Sequence, residues 1–523
     1  CPFEPSSYDE AVSCADAEKW HAAINDEIAA HNKNGTWKLV PKNSGIDEID
    51  SKWIFKVKQN ADGTVNRFKA RLVARGFTQQ PGVDYAEVFA PVVRMESIRL
   101  LFSVAAQYKL SYKQFDVATA FLYGTVDREL YLKPPKGIDV PPNHTLRLIK
   151  SLYGLKQAPR CWSKRVSEVL RKFEMKPSSS DPCVFISSQE SMLYLALYVD
   201  DGLIFGKNTK VIDSLLGQLT KEFMVKTVDS SCFIGVEILK LEDGSFFLHQ
   251  RGYINRMLHK FGMDDSKSLS TPLEVGHGLN DTRILEAEPI TEVPYAEAIG
   301  SLLYCAIATR PDISHALSLL SKYNGRPRMI HWKGAKRVLR YLKGTSDYGL
   351  LYRSVDEPVI SCYSDADHAS DHENRRSISG LVIFLCTGPI SYKAQQQPSV
   401  AISTTEAEYV AAAIAAKELV WLNRFIRELN VHTDYKSRLL VDNQSAIKLI
   451  KNPEFHERTK HIAIRYHFVR ELYESGEFEI YYVTSEDELA DVFTKALTGS
   501  RFEFLRQLIG CVKAPSVMYE RGC

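Results

Sequence analysis

The stretch YLALYVDDGLIFG, residues 194–206, places two adjacent acids, Asp200 and Asp201, between two apolar runs. Because the flanks are rich in strand-forming residues and an Asp-Gly step supplies the positive φ angles of a two-residue turn, the pattern favours a β-hairpin. A second interpretation is that the turn holds both carboxylates against a divalent cation, which needs at least one more carboxylate from elsewhere in the chain.

The length and composition of the chain limit the class of protein it can form. At 523 residues it is too long for one hydrophobic core, and we expect about three or four domains. Hydrophobic residues make up 45% and charged residues 25%, as in globular proteins. No apolar run approaches the roughly 20 residues of a membrane helix, and the first residues lack a signal-peptide pattern. We therefore expect an intracellular protein that contacts no membrane.

The cysteines and the first residue add two expectations. The ten cysteines include no Cys-x-x-Cys pair, so the sequence predicts reduced, mostly buried thiols rather than disulfides or a zinc ribbon. The chain begins with Cys1 rather than Met, which suggests a piece of a longer precursor.

Basic residues are concentrated in two segments, although the net charge is only +2. Residues 52–75 contain seven basic residues against one acid, and residues 322–343 contain eight basic residues and no acid. Both segments are predicted to contact backbone phosphates. Helical spacing in the second places four cations on one face, with a solvated helix face as the alternative interpretation. These four are Lys333, Lys336, Arg337 and Arg340.

Periodicity and turn residues divide the chain into regions. Residues 16–31 predict an amphipathic helix, and residues 52–75 predict two strands around a turn at 60–63. Residues 264–294 have the composition of a linker. The remaining predicted elements are a helical section from 295 to about 345, strands from 356, an Ala-rich helix at 406–430, a strand at 438–441 and a last helical stretch from about 486.

A third acid, Asp116, follows a strand-like approach in SYKQFDVATAFLYG, residues 111–124. Alone it would be interpreted as a turn or helix cap. Together with YVDD at 198–201, however, it resembles the catalytic motifs of reverse transcriptases. Three further segments are similar to copia-type (Ty1/copia, Pseudoviridae) retrotransposon Pol polyproteins, and the resemblance extends from about residue 16 to 500. These segments are RFKARLVARGFTQ at 67–79, LIKSLYGLKQAPRCW at 148–162 and ATRPDI at 308–313.

The resemblance implies a metal site and a nucleotide site. Asp116, Asp200 and Asp201 would bind two Mg²⁺ ions, with Mn²⁺ as a substitute and the carbonyl of Val117 as a further ligand. Phe121 would form a wall under the incoming sugar, with core packing as its alternative. The basic residues of the nucleotide site would grip the triphosphate, with non-specific phosphate contact as their alternative. The nucleotide-binding set is Lys69, Arg71, Phe121, Tyr153 and Gly154.

Three segments in the last third of the chain carry a second group of acids: CYSDADHA at 362–369, STTEAEY at 403–409 and LLVDNQSA at 439–446. Each acid alone could end a strand, cap a helix or close a capping box. Together with ELADVFTK at 488–495, their order resembles a ribonuclease H domain, whose fold gathers such acids around two Mg²⁺ ions. The ligands this implies are Asp365, Glu408, Asp442 and Asp491, with Asp487 as the alternative to Asp491 one helical turn earlier.

Some residues depart from the ribonuclease H pattern or suggest another site. His368 stands where the family commonly has Trp, and Gln395 and Gln396 stand where it commonly has Lys, which is expected to weaken the hold on substrate. Three histidines lack the cysteine pair of a zinc site and are interpreted as helix and loop residues, with the second kept as a candidate for product release. They are His456, His461 and His467.

The expected fold class is α+β and α/β multidomain: a right-hand polymerase with fingers, palm and thumb, followed by a ribonuclease H-like domain. The predicted domains are an N-terminal helical extension (1–35), reverse transcriptase fingers and palm (36–262), a linker with thumb and connection (263–355), a ribonuclease H domain (356–500) and a C-terminal tail (501–523).

The resemblance implies an RNA- and DNA-directed DNA polymerase with a tethered ribonuclease H, which copies retrotransposon RNA into DNA and degrades the RNA strand of the hybrid. Its implied partners are an RNA template, a DNA primer, the RNA–DNA hybrid, deoxynucleoside triphosphates and other parts of the Gag-Pol polyprotein, with a homodimer as a further expectation. The expected location is the cytoplasm, within virus-like particles, with later access to the nucleus.

Two alternatives remain open. A group II intron or telomerase type of polymerase would share the first triad but would not ordinarily carry the second acidic site. A degenerate or domesticated copy would only bind nucleic acid.

Overall fold

The computed structural model describes residues 3–43, 45–59, 64–190, 192–228, 232–281, 288–431, 436–452 and 467–516. None of the helices in this part of the chain combines the length and the hydropathy that crossing a bilayer requires. The eight cysteines in it are all free, and six of them are buried, in agreement with the predicted thiols.

The N-terminal segment is a hairpin covered by a helix. Its elements are α1 (Tyr8–Ser13), α2 (Ala17–Asn34), β1 (Trp37–Pro41), β2 (Glu48–Ile49), β3 (Ser51–Gln59) and β4 (Val65–Ala74). Trp20 on α2 is fully buried and packs edge-on against Phe55 and Phe68 of the β3–β4 hairpin, at centroid distances of 5.2 and 4.7 Å. The predicted first helix and the predicted pair of strands are confirmed. The predicted turn at 60–63 lies outside the described residues.

A six-stranded antiparallel sheet, which we call the palm sheet, follows. The elements of this region are α3 (Met95–Gln107), β5 (Ser111–Val117), β6 (Tyr131–Leu132), β7 (His144–Leu148), α4 (Ala158–Lys172), β8 (Met175–Pro177), β9 (Val184–Ser187), β10 (Tyr194–Tyr198), β11 (Asp201–Gly206), α5 (Thr209–Glu222) and β12 (Val225–Val228). The palm sheet has the order β12–β5–β11–β10–β9–β8, and β1, β7, β6 and β2 form a separate sheet. Alternating side chains bury one palm face under α4 and α5 and the other under α3.

The middle of the chain is largely helical. Its elements are β13 (Cys232–Phe233), β14 (Val236–Lys240), β15 (Phe246–His249), α6 (Arg251–Lys260), α7 (Tyr295–Ala308), α8 (Ser314–Leu320), α9 (Met329–Gly344) and β16 (Tyr348–Tyr352). The described residues of the predicted linker form neither helix nor strand, and the predicted helical section corresponds to α7, α8 and α9.

A second mixed α/β unit, which we call the C-terminal domain, follows. Its elements and those after it are β17 (Ser361–Asp367), β18 (Ile378–Phe384), β19 (Pro389–Gln396), α10 (Thr404–Glu428), β20 (Arg438–Val441), α11 (Gln444–Lys451), α12 (Phe468–Glu474), β21 (Glu479–Tyr482), α13 (Gly499–Leu508) and β22 (Cys511–Lys513). The sheet order is β19–β18–β17–β20–β21, with β18 antiparallel to β17 and β20 parallel to it. This architecture, together with the palm sheet, confirms the predicted fold class.

One sheet joins parts of the chain that are far apart in sequence. Its order is β13–β14–β15–β16–β22, so it combines strands that precede α6 with strands on either side of the C-terminal domain. The sheet therefore crosses the predicted boundaries at 262 and 500, and the division into domains stays a prediction.

The C-terminal domain is docked on the palm through a buried cation. Arg99 of α3 is 1% exposed, and its guanidinium donates to the carbonyls of Ile390 (2.7 Å) and Ala308 (3.2 Å). The guanidinium also lies 4.4 Å from the centroid of the Tyr392 ring. One side chain therefore connects α3 to α7 and to β19.

A second contact supports the same docking. Glu428, at the end of α10, accepts hydrogen bonds from the three consecutive serine hydroxyls at 178–180. Tyr194 of β10 donates to the carbonyl of Leu429 at 2.7 Å. The C-terminal domain is thus packed directly against the palm, in addition to its connection through the chain.

The ATRPDI segment forms a buried ion pair. Arg310 and Asp312 have 0% side-chain exposure and are joined by contacts of 2.7 and 3.0 Å. Arg310 donates to the carbonyl of Thr345 at 2.7 Å, and the Tyr341 hydroxyl donates to Asp312. Arg506 of α13 donates to the same hydroxyl at 3.1 Å. Because both charges have lost their water, each is stable only while the other is present.

Asp312→Asn should therefore destabilise the protein strongly. Arg310 would remain buried without a counter-charge, which typically costs about 3 to 5 kcal/mol. The control is Glu297→Gln, which breaks the half-exposed Lys260–Glu297 pair and should cost less than about 1 kcal/mol. Denaturant midpoints and melting temperatures measure both variants. Equal effects of the two substitutions would show that the buried pair is not critical to the fold.

Candidate catalytic sites

The palm hairpin carries Asp200 and Asp201, but its turn is not the Asp-Gly step. Tyr198 and Asp201 are partners in the β10–β11 register, so Val199 and Asp200 are the two turn residues. Val199 has φ +58°, which is unfavourable for a β-branched residue. Trp162 holds this turn by donating from Nε1 to the Val199 carbonyl at 2.6 Å. The turn was predicted at the Asp201-Gly202 step, and it lies two residues earlier, at Val199 and Asp200. The contact with Trp162 outweighs the local preference for an Asp-Gly turn.

The register of the palm sheet brings the third acid to the same place. Asp201 of β11 and Asp116 of β5 are directly opposite each other. Gly202 makes this pairing compatible with the core, because a Cβ at its position would lie 2.2 Å from the ring of Phe115. Val117, the residue after Asp116, donates its amide to the carbonyl of Asp200 at 2.9 Å. The sequence-predicted triad therefore lies together at one end of β5 and the hairpin tip.

The three palm carboxylates repel one another. Burial, and then Asp200 and Asp116, raise the pKa of Asp201 to about 6. Burial also raises the pKa of Asp200, and Asp116 acts in the same direction, whereas Arg71 and Lys69 oppose it. The basic hairpin thus faces the palm acids. A cation held by these carboxylates would offset the repulsion, so the residues fit the implied metal.

Four of the five predicted nucleotide residues, all except Lys69, form a continuous chain of contacts. The Arg71 guanidinium lies 4.4 Å from the centroid of the Tyr153 ring, and Tyr153 meets Phe121 edge-on at 4.6 Å. Ala74, at the end of β4, donates its amide to the carbonyl of Tyr153 at 2.8 Å. Gly154 has φ +93°, and a Cβ there would lie 2.1 Å from the Ala74 carbonyl oxygen. The glycine therefore allows the hairpin to join this loop beside the palm acids.

The second acidic site gathers side chains from three elements of the C-terminal domain. Asp365 of β17, Glu408 of α10 and Asp442 after β20 each place one carboxylate oxygen within 4.8 Å of the others. In the described part of the chain, no other three His, Cys, Asp or Glu side chains approach one another this closely. Glu408 accepts from the Ala366 amide at 3.2 Å, and its other oxygen is buried without a partner.

Glu408 is the least compensated acid of this cluster. Burial, followed by Asp365 and Asp442, raises the pKa of Glu408 to about 9. Burial also raises the pKa of Asp365 to about 6. An orphaned carboxylate oxygen and a set of hard oxygen donors fit a divalent cation such as Mg²⁺.

The fourth acid lies on a short 3₁₀ helix at the start of the predicted last helical stretch. Residues Leu489–Phe493 form this helix, and a Cβ on Gly380 of β18 would lie 2.9 Å from the Ala490 carbonyl. This close approach brings Asp491 next to the cluster. Asp487 is exposed and accepts from the Thr484 hydroxyl at 2.9 Å. The geometry therefore favours Asp491 over Asp487.

Three further residues of the same segment belong to this site and were not singled out in the sequence. Lys495 contacts Asp491 at 2.5 Å and Asp365 at 3.2 Å, and the Thr494 hydroxyl donates to Asp365. Glu488 is fully buried, and burial raises its pKa well above the usual range. Their spacing in ELADVFTK is the one signal that could have identified them.

The departures from the family pattern have structural roles. The His368 imidazole Nε2 lies 3.2 Å from the Ala401 carbonyl, and Gln396 donates to the side chains of Asp371 and Asn374. The His467 ring is 3.1 Å from the Tyr409 hydroxyl, in keeping with the predicted helix or loop role.

Gln395 is the one departure that lies away from the acidic cluster of the C-terminal domain, among the described residues. Gln395 lines a separate cavity beside Arg99. His456 and His461 lie outside the described residues.

The basic helix α9 buries its apolar side, but its cations are not all free. Arg337 is paired with Glu274 and donates to Thr271 at 3.0 Å, and Arg340 donates to the Lys267 carbonyl at 2.6 Å. The linker thus occupies two of the four predicted phosphate contacts. The other two are an exposed Lys333 and a Lys336 that lies 5.7 Å from the Trp332 ring centroid.

Comparisons with known proteins agree with the predicted family. Residues 34–275 match the family described as reverse transcriptase (RNA-dependent DNA polymerase). The chain is 39% identical over 518 residues to the retrovirus-related Pol polyprotein from transposon TNT 1-94 of Nicotiana tabacum, covering 97% of this chain and 39% of that protein. It is 38% identical over 510 residues to the polyprotein from transposon RE2 of Arabidopsis thaliana, covering 97% and 35%.

A shorter relative and a solved structure complete the comparison. The chain is 34% identical over 309 residues to a transposon Ty5-1 protein of Saccharomyces cerevisiae, covering 58% of this chain and 100% of that protein. A foamy viral protease-reverse transcriptase in complex with double-stranded DNA aligns with a TM-score of 0.43 and 13% identity, over 89% of this chain and 69% of that one.

The matched region is a reverse transcriptase domain. The chain belongs to the family of copia-type retrotransposon Pol polyproteins. It spans 39% and 35% of the length of the tobacco and Arabidopsis relatives.

Proposed function

We propose that the chain is a reverse transcriptase with a tethered ribonuclease H, each using two divalent cations. The observation that carries this proposal is the presence of two separate acidic clusters, each at the end of a sheet strand and each with carboxyl groups of raised pKa. Bound cations at such sites activate an attacking hydroxyl or water and neutralise the leaving group.

In the polymerase site the palm acids would hold the cations, and the basic hairpin would hold the nucleotide. Lys69 and Arg71 lower the pKa of Asp200, so their positive charges lie on the side of the palm acids. A triphosphate bound between these two basic side chains and the palm acids would contact both the basic side chains and the bound cations. The Tyr153 ring contacts both Arg71 and Phe121. The ring of Phe121 would then lie beside the sugar of the incoming deoxynucleotide.

In the nuclease site Asp365, Glu408, Asp442 and Asp491 would hold the cations, and the RNA strand of a hybrid would be the substrate. Because burial raises the pKa of Glu408 to about 9, a cation held by this carboxyl would have to replace its proton. Single-stranded RNA lacks the paired DNA strand that such a site would grip, which favours an RNA–DNA hybrid.

The remaining partners follow from the family. The template is RNA or DNA, the primer is DNA, and the substrates are deoxynucleoside triphosphates. Other parts of the Gag-Pol polyprotein, a homodimer and virus-like particles in the cytoplasm, with later access to the nucleus, belong to the same proposal. Lys333 and Lys336 of α9 are the candidates for contact with the nucleic-acid backbone.

A degenerate copy that only binds nucleic acid is the alternative. Against this alternative, all seven proposed acids are present. The palm acids lie near one another, and the acids of the C-terminal domain form a separate cluster. Extension of a DNA primer on an RNA template with Mg²⁺, scored for both synthesis and template cleavage, distinguishes the two.

Asp200→Asn should abolish primer extension without lowering the melting temperature, because removing one charge relieves repulsion among the palm carboxylates. The control is Asp213→Asn, which changes a half-exposed acid of α5 in the same region and should retain extension. Extension by a folded Asp200→Asn variant would remove Asp200 from the site.

Asp442→Asn should stop cleavage of the RNA strand in an RNA–DNA hybrid while primer extension continues. The two clusters share no ligand, so their substitutions are expected to act independently. Asp487→Asn, an exposed neighbour outside the cluster, should retain both activities. Loss of both activities in a folded Asp442→Asn variant would point to one shared site.

Phe121→Ala should increase ribonucleotide incorporation relative to deoxynucleotide incorporation, because the ring would exclude a 2′-hydroxyl by steric overlap. Phe121→Tyr, which keeps the ring, should retain discrimination. A pure packing role predicts instead an unchanged incorporation ratio and a stability loss of about 3 to 5 kcal/mol. Competition between the two nucleotides, together with melting temperatures, separates these outcomes.

A further inference from the structure

The two sides of the nuclease cluster are charged differently in the protein itself. On one side, Glu408 has a buried oxygen without a partner, and Asp442 accepts from the Ser485 hydroxyl at 2.9 Å. On the other side, Asp365 and Asp491 are bridged by the ammonium of Lys495, with contacts of 3.2 and 2.5 Å. One half of the cluster therefore has a carboxylate oxygen without a partner. In the other half, the lysine ammonium already compensates the negative charge.

The second half is compensated further by its neighbours. The Thr494 hydroxyl donates to the second oxygen of Asp365, and the Arg501 guanidinium lies 3.6 Å from the second oxygen of Asp491. All four oxygens of these two carboxylates therefore have a donor or a positive charge nearby. An incoming cation would have to replace at least one of these contacts.

The side chain of Lys495 is suited to leave. It is 36% exposed, and it carries a compact charge on a flexible four-carbon stem. Its ammonium is charged at neutral pH, as is usual for lysine.

We propose that Lys495 occupies the position of a divalent cation between Asp365 and Asp491 and competes with that cation for the nuclease site. The proposal rests on the proposed function, because it assigns a role within that same site. The two cation positions would then be unequal: the one on the side of Glu408 and Asp442 would bind first, and the one between Asp365 and Asp491 would bind only after Lys495 moves away. Lys495 is thus a positioning residue that sets how much cation the nuclease requires.

The test measures binding of Ca²⁺ and Mg²⁺ by calorimetry, without any activity readout. All proteins carry Asp200→Asn, so that the palm site is weakened equally in each. Lys495→Met keeps the length of the side chain and removes its charge. It should raise the affinity of the weaker nuclease cation about tenfold or more, since a full positive charge at contact distance is lost.

Two control variants define what charge and location contribute. Lys495→Arg keeps the positive charge and should stay close to the Lys495 protein. Lys393→Met removes a lysine that is paired with Glu418 in the same domain but outside the cluster, and it should leave the cation affinity unchanged. Melting temperatures with and without cation provide a second readout. The cation should raise the melting temperature of the Lys495→Met variant more than that of the protein with Lys495.

The outcomes separate this inference from the proposed function. An unchanged or lower cation affinity in a folded Lys495→Met variant would overturn the role of Lys495. Asp365→Asn should lose cation binding in the nuclease site whatever Lys495 does. If Asp365→Asn bound cations as tightly as before, the proposed metal site itself would be wrong.

Discussion

The buried ion pair between Arg310 and Asp312 is the interaction that holds the middle of the chain together with its C-terminal helix. It lies at full burial where α7 ends, and Tyr341 and Arg506 extend it to α9 and α13. Elements that are remote in sequence thus converge on one pair of charges. Because water cannot reach either charge, any movement that separates Arg310 from Asp312 would leave a buried charge without a partner. The ion pair therefore holds these elements in one arrangement. Arg99 acts similarly at the boundary between palm and C-terminal domain.

Both acidic sites hold like charges together, but they obtain compensation in different ways. In the palm the opposing cations come from the separate β3–β4 hairpin, through Lys69 and Arg71. In the C-terminal domain they come from the segment that supplies the last acid, through Lys495. Motion of the hairpin would therefore change the electrostatics of the first site, whereas the second carries its own counter-charge.

The sequence was sufficient for features determined by local pattern and motif. The first helix, the basic hairpin and the strand at 438–441 follow from periodicity, and the palm triad follows from resemblance to known motifs. It was insufficient where distant residues decide. The turn at Val199 depends on a hydrogen bond from Trp162. The 3₁₀ helix of Asp491 packs closely against Gly380, where a side chain would not fit. Two of the four cations of α9 are bound by residues of the linker. None of these partners is close in sequence, so no local pattern records them.

The pairing of β22 with β16 has a consequence for how the protein is made. These neighbouring strands enclose the whole C-terminal domain in sequence, so that domain is topologically an insertion into the sheet begun by β13. During synthesis the edge of this sheet stays unpaired until the ribosome has passed the C-terminal domain. Because an unpaired strand edge is prone to wrong association, rapid folding of the inserted domain would shorten the time for which this edge is exposed.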